Sequence, residues 1–408
     1  MKERPFENRV IIIGADHHNT LAAIRAFGQE GCVIVVIIHG HALDRKKVQV
    51  FSSKYVDQKQ VYIIDDNEKE LLNVLKQYGD EQLKDVLFPA SDFAEFVIDS
   101  NYDTLSARFV FPGFVGKPGE VCRRMDKWNQ YLFAKEHGIP MAPSFLIDTN
   151  RPVVPPELEF PCIVKPRISA MGSKTDIAIC ENKYALLDTI TEYRQNGYSD
   201  CLAQLFIKKE YEANALGFVL VTDQIKSYIG SVAVKIREQL ESATSYAVFV
   251  HDVTSSELMK GFNNQQLVEI NRRILQALTE EGYSGHYDID YLCTNDTVYL
   301  NEINYRQSGN GYTLVNEKIN APVLWTRGML GDPAVHVPAQ CVEVGSHFMA
   351  ELIDMIYIKR HQITIHKWIH DIRDTTSFAI HNSHDMKATR RYYKDRFVGL
   401  VRKALRSV

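Results

Sequence analysis

The sequence holds no Cys-x-x-Cys pair: its seven cysteines stand scattered at 32, 122, 162, 180, 201, 293 and 341. That excludes a zinc ribbon and argues against a disulfide scaffold, so buried thiols in a reducing compartment, the cytoplasm, are expected. Charge of one sign is also missing, with a net of -4 and a pI near 6.4. A nucleic-acid footprint spread over the whole surface is thereby excluded. The apolar run at Val10–Ile13 is too short for a signal peptide or a membrane span. No internal repeat or low-complexity segment occurs, and Gly14-Ala15-Asp16 lacks the spacing of a dinucleotide-binding loop.

What is present is an ordinary globular composition, 45% hydrophobic over 408 residues, enough for two or three domains. Short β-branched runs (10–14, 32–38, 61–64, 86–89) alternate with helical patterns over 19–31 and 68–78. They predict an open parallel α/β sheet over residues 1–123, with ligands at the carboxyl ends of its strands. Asp126 reads as the N-cap of a helix that stops at Gly138. Beyond it, short strands (160–165, 177–179, 201–207, 213–221, 228–236) are expected to form α+β sheets. A helix over 265–281 carries Leu267, Ile270, Ile274, Leu275 and Leu278 on one stripe.

The strongest chemical signal is Tyr299-Leu300-Asn301-Glu302-Ile303-Asn304-Tyr305-Arg306. In a strand, Glu302, Asn304 and Arg306 project to one face, giving hard oxygen donors for Mg²⁺ and a guanidinium for phosphoryl oxygens. The alternating run 286–292 precedes it across a turn at 293–297, so a hairpin brings Asp290 beside Glu302. Lys165 ends a short strand, and Ser169 to Lys174 (with Gly172 and Ser173) is a small-residue loop able to cover phosphates. Lys235 and Arg237 alternate near a strand end as candidates for phosphate or an incoming carboxylate. Ser308-Gly309-Asn310 lets backbone amides approach a substrate anion. Each motif alone also fits an ordinary surface feature; the order of the motifs favours a site.

In that order, the residues from Arg124 to Leu330 resemble the ATP-grasp superfamily, most closely its carboxylate-amine ligases. The resemblance implies an ATP-grasp fold of two α+β subdomains over 124–335 (flap about 140–205). A Rossmann-like domain precedes it, and a C-terminal extension, 336–408, follows. It implies nucleotide contacts from Lys127, Lys165, Ser169, Gly172, Ser173, Gln204, Phe206 and Ile207, with Glu210 favoured over Glu212 at the ribose. It implies Asp290, Glu302 and Asn304 as ligands of two Mg²⁺ ions, with Mn²⁺ as a substitute. Arg306, Lys165 and Lys174 would act in catalysis through an acyl phosphate. The implied cofactors are ATP and Mg²⁺, and the implied partners a small-molecule carboxylate and an amine. Two alternatives stay open: a non-catalytic or regulatory ATP-binding module, and a phosphotransferase using the same nucleotide site. The chain is too short for a duplicated synthetase and carries no Met-Lys-Met biotin module.

At the C-terminus, Phe397, Leu400, Val401, Ala404, Leu405 and Val408 fall at helical spacing among Lys394, Arg396, Arg402, Lys403 and Arg406. This amphipathic helix would pack on its own domain or a dimer mate, or lie peripherally on an anionic membrane.

Overall fold

A computed structural model describes residues 4–168, 177–237, 245–249, 264–341 and 345–406. Strands β1 (Val10–Gly14), β2 (Ile34–His39), β3 (Val61–Ile64), β4 (Asp85–Pro89) and β5 (Phe109–Val110) form a parallel sheet in the order β3-β2-β1-β4-β5. Helices α1 (His18–Gly28), α2 (Glu68–Leu75), α3 (Asp92–Ser100) and α4 (Tyr102–Leu105) connect them. The β-branched runs are continuous rather than alternating because both faces are covered: Val10 and Ile12 enter one core, Ile11 and Ile13 another. The order reverses between β1 and β4, so loops after β1, β2 and β4 surround the crevice where open sheets bind ligands.

The short strand β6 (Gly113–Phe114) and helix α5 (Glu120–Arg124) lead to α6 (Lys127–Glu136). Asp126 caps α6 by accepting the Trp128 amide, and Gly138 closes it at φ 61°, a left-handed position that favours glycine. A four-stranded antiparallel sheet follows, β7-β10-β8-β9 in space. It contains β7 (Ser144–Asp148), β8 (Cys162–Lys165), β9 (Ala178–Cys180) and β10 (Asp200–Leu205), with α7 (Lys183–Gln195) over its own core. The expected hairpin of β8 and β9 is present, Cys162 opposite Cys180. Its tip, with Ser169, Gly172, Ser173 and Lys174, lies outside the described residues.

The largest sheet runs β15-β14-β11-β12-β13-β17-β18. It comprises β11 (Tyr211–Val221), β12 (Lys226–Lys235), β13 (Tyr246–Phe249), β14 (Tyr283–Cys293) and β15 (Val298–Asn304). Helix α8 (Asn264–Glu281) precedes β14, and α9 (Tyr312–Asn316), α10 (Ala321–Met329) and the short β16 (Gln340–Cys341) follow β15. The five aliphatic residues of the α8 stripe are all buried, each worth about 1.5–3 kcal/mol as area removed from water.

Then come β17 (His347–Met349), α11 (Glu351–Lys359), α12 (Ile365–Asp374), β18 (Ser377–Phe378) and α13 (Met386–Arg406). The first half of α13 packs back onto the chain. Asp395 accepts from Gln49, Arg391 donates to the Lys46 carbonyl, and Tyr393 donates to Glu351. Just before it, Asp385 meets Arg25 of α1 at 3.1 Å with both side chains buried. Among the described residues no helix is long and apolar enough to cross a membrane.

Candidate active site

The hairpin expected from the sequence forms, and its register puts Asp290 opposite Glu302 and Asp288 opposite Asn304. On the other side of β14, Asn214 of β11 lies opposite Asp290, and Glu212 of β11 opposite Lys235 of β12. One face of the large sheet therefore gathers Glu212, Asn214, Lys235, Asp288, Asp290, Glu302 and Asn304. Like charges directly opposite on a sheet face repel, so this arrangement requires cations between them. Lys235 supplies one, its ammonium 2.7 Å from Asp290 and 3.2 Å from Glu212. Burial alone would lower its pKa, but Asp290 and Glu212 more than offset that and hold it above the ordinary value.

Lys127 supplies the second cation, 3.0 Å from Glu302. It stands at the first position of α6, whose end is fixed by Asp126: that carboxylate caps the helix and pairs with Arg167, while the Lys127 amide donates to the Arg167 carbonyl. Two residues before Arg167, Lys165 ends β8, and so two lysines separated in sequence by α6, β7 and β8 approach Glu302 together. Lys165 donates to Gln204 Oε1 at 2.9 Å, and Gln204 in turn donates to Ser144 at 2.8 Å. Burial pulls Lys165 down from 10.5 to about 8, helped by Lys127 and opposed by Glu302.

Arg306 leaves the end of β15 and reaches Asp92 of α3 at 2.7 Å and Asp288 at 3.5 Å. Burial works against its charge; Asp92 and Asp288 outweigh it, so the guanidinium stays charged. Through this residue the carboxyl ends of the parallel sheet meet the large sheet. In the next loop Ser308 donates to Asn310, and Asn310 to Asn214 at 3.5 Å. A Cβ at Gly309 would lie 2.4 Å from His18 Nε2 and 2.5 Å from Asn19 Oδ1, so a side chain here forces His18 and Asn19 at the start of α1 to shift.

Other sequence-chosen residues fall elsewhere. Arg237 does not join the site: it is clamped in a buried ion pair with Asp354 of α11 (3.1 Å) and Asp371 of α12 (2.7 Å), because β12 ends at Lys235 and the alternation stops. Glu210 is exposed, whereas Glu212 belongs to the charged face. Strand β10 ends at Leu205, and the Phe206 amide is used by the Pro161 carbonyl at 3.1 Å, ahead of Ile207. Gln204 has its side chain engaged with Lys165 and Ser144 rather than open to a base.

Asn214 had no signal in the sequence, and nothing there pairs Asp92 with Arg306, 214 residues away. Asp288 sits two positions before Asp290 in the same alternation and joins it on the charged face.

The carboxylates and amide of the hairpin suit Mg²⁺ in kind, all hard oxygens on one face, and the Asn304 amide nitrogen is used by the Asp288 carbonyl at 3.2 Å, leaving Oδ1 as the atom able to ligate. Among the described residues no three carboxylate, histidine or cysteine side chains converge as a closed metal cage.

No protein-family model and no curated protein sequence matches the chain. Solved structures do. Carboxyaminoimidazole ribonucleotide synthase from Aspergillus clavatus, complexed with ATP, superposes with a TM-score of 0.60 at 14% identity, covering 84% of this chain and 81% of that one. Biotin carboxylase from Campylobacter jejuni gives 0.60 at 14% identity (83% and 74%). The biotin carboxylase domain of the Hydrogenobacter thermophilus 2-oxoglutarate carboxylase, with MgADP and bicarbonate, gives 0.59 at 15% (83% and 73%). The fold is that of the ATP-grasp proteins, as the resemblance implied.

Proposed function

We propose that the protein is an ATP-dependent, ADP-forming ligase that activates a carboxylate as an acyl phosphate and couples it to an amine. The observation that carries this reading is the charged face itself: Lys127 and Lys165 converge on Glu302, opposite Asp290, with Arg306 beside them. Structures of this fold that hold ATP or MgADP support a nucleotide there.

A carboxylate is a poor electrophile with no leaving group, and phosphorylation supplies both. Lys127 and Lys165 would neutralise transferring phosphoryl oxygens, exchanging Glu302 and Gln204 for phosphate as ATP arrives. Arg306, fixed by Asp92 and Asp288, would hold the acyl phosphate and then the oxyanion formed as the amine adds. Asp290, Glu302 and Asn304 would hold Mg²⁺, which when bound spreads phosphate charge. Lys174, Ser169, Gly172 and Ser173 keep their proposed role in covering phosphates, and Glu212 or Glu210 that at the ribose. Lys235 already neutralises Asp290 and Glu212, and Ser308, Gly309 and Asn310 line the substrate side. The cysteine pattern favours the cytoplasm, and the dimer named for the Hydrogenobacter domain favours a homodimer.

The test is ADP release with Mg-ATP against amino acids and polyamines, singly and in pairs, for the wild type and Glu302→Ala. Pair-dependent release lost in the variant supports the ligase. Tight ATP binding without release would favour a regulatory module, and a stable phosphorylated product without an amine would favour a phosphotransferase.

A further inference from the structure

At the carboxyl ends of the parallel sheet, three loops bring together Asp66, His39 and Ser91. His39 is the last residue of β2, Asp66 follows β3, and Ser91 follows β4. Asp66 Oδ1 lies 2.5 Å from His39 Nδ1, and His39 Nε2 lies 2.7 Å from Ser91 Oγ. The Phe93 ring packs at a tilt against the imidazole, 4.6 Å between centroids, and the histidine is only 8% exposed. Adjacent to Ser91 is Asp92, the residue that meets Arg306 at 2.7 Å. The chain is thus a carboxylate, an imidazole and a hydroxyl in hydrogen-bonded series, ending one residue from the guanidinium assigned to the acyl phosphate.

Hydrogen-bond accounting fixes the protons. A carboxylate accepts only, so Nδ1 carries the proton toward Asp66 and Nε2 is left as an acceptor. The Ser91 proton then points to Nε2, and one Oγ lone pair takes the Ala94 amide at 3.3 Å as helix cap. The second lone pair is left for an incoming donor. Burial pulls His39 below its usual pKa and Asp66 partly restores it, so the ring is an unprotonated base at neutral pH. Capping α3 needs the serine alone. The histidine and aspartate behind it add nothing to the cap and everything to the basicity of the hydroxyl.

We infer that Asp66, His39 and Ser91 form the proton relay that deprotonates the acceptor amine for its attack on the acyl phosphate. The inference rests on the ligase reading. The acceptor binds as an ammonium, one proton of which passes to Ser91 Oγ while the Ser91 proton passes to His39 Nε2; the freed lone pair then forms the C–N bond, and the adduct's remaining surplus proton goes to the departing phosphate. Collapse of the tetrahedral adduct breaks the C–O bond to phosphate, and the electron pair leaves with inorganic phosphate. The imidazolium is held by Asp66, whose side chain is 57% exposed and opens the way for its proton to reach water. His39 is the general base, Ser91 its conduit, and Asp66 a positioning residue that sets the tautomer.

Two measurements on the full-length protein test it. The ring nitrogens of ¹⁵N-histidine-labelled protein, with His39 assigned by His39→Gln, should show Nδ1 protonated and Nε2 bare at pH 7, and Ser91→Ala should shift Nε2 alone. A protonated Nε2 would overturn the relay. The second measurement compares amide formation with trapping of the acyl phosphate by hydroxylamine, a nucleophile already unprotonated at neutral pH, across the amino-acid panel. His39→Gln should lower transfer to amines about 100-fold, the usual worth of a general base, while hydroxamate yield stays within about twofold. Ser91→Ala should follow it, and added imidazole should restore part of the rate to His39→Ala. Equal loss of amide and hydroxamate, or wild-type transfer in both variants, would overturn the inference. If the wild type gives neither ADP nor hydroxamate, the ligase reading falls and takes the inference with it, while the ring nitrogens still report whether the relay exists.

Discussion

Replacing Lys165 by methionine should make the folded protein more stable at pH 7 while weakening the ATP binding proposed for it. Lys165 is buried and its pKa falls from 10.5 to about 8, the main cause being the removal of its ammonium from water. At 1.36 kcal/mol per pKa unit, this penalises folding by about 3 kcal/mol wherever the lysine is charged in both states. Methionine keeps the stem without the charge, and costs about 1–2 kcal/mol by leaving Gln204 Oε1 without its donor. The net expectation near neutrality is a gain of about 1–2 kcal/mol. The sign must then change with pH. A folded pKa below the unfolded one means that the unfolded chain binds more protons between about 8 and 10.5, so wild-type stability rises through that window and the penalty disappears above it. Above pH 10.5 only the lost hydrogen bond remains, and the variant should be the less stable by about 1–2 kcal/mol. Calorimetric unfolding of both proteins from pH 7 to 10.5, each transition read separately because the chain has several cores, measures the crossing. A variant less stable at pH 7, or a difference constant with pH, would refute the reasoning.

Other consequences are checked more simply. ATP phosphates should return Lys165 to its charged form, so ATP affinity should fall as pH rises through about 8 and binding should take up protons there, measured calorimetrically in buffers of different ionisation enthalpy. Glu302→Ala leaves Lys127 buried without that carboxylate; it should destabilise the free protein by about 3–5 kcal/mol and be partly rescued by ATP, read as a ligand-dependent melting shift. Gly309→Ala should push the loop off His18 and Asn19, costing about 1–3 kcal/mol in unfolding free energy and lowering ADP release. Asp385→Ala leaves the buried Arg25 guanidinium with the Ala379 and Ile380 carbonyls but no counter-charge from Asp385, and should cost about 3–5 kcal/mol by urea unfolding, with the C-terminal segment becoming protease-sensitive first.

Much of this was legible in the sequence wherever the signal was local. The parallel sheet could be read because β1 and β2 are continuous β-branched runs, which only a doubly covered strand tolerates. The hairpin could be read because two alternating runs flank a turn, and a period of two fixes which residues share a face. Long-range pairing was not legible. Asp92 caught Arg306 across the whole intervening fold, and nothing near either residue announces it. Arg237 is placed elsewhere for a related reason: alternation is informative only while the strand lasts, and two residues past β12 its guanidinium meets Asp354 and Asp371.

The same distinction bears on how the site is held ready. Each cation at the centre already has an anion or dipole of the protein: Lys127 has Glu302, Lys165 has Gln204, Lys235 has Asp290, and Arg306 has Asp92 and Asp288. Charged groups this buried would otherwise neutralise or unfold the chain. A triphosphate can displace these partners without new desolvation of the lysines, because the solvent was removed during folding. Of the partners it would displace, Glu302 and Gln204, the carboxylate is an oxygen ligand that suits the accompanying cation. Exchange of internal ion pairs for ligand pairs therefore conserves charge inside the cleft, and the cost of assembling the site falls on folding stability, where Lys165 shows it most plainly.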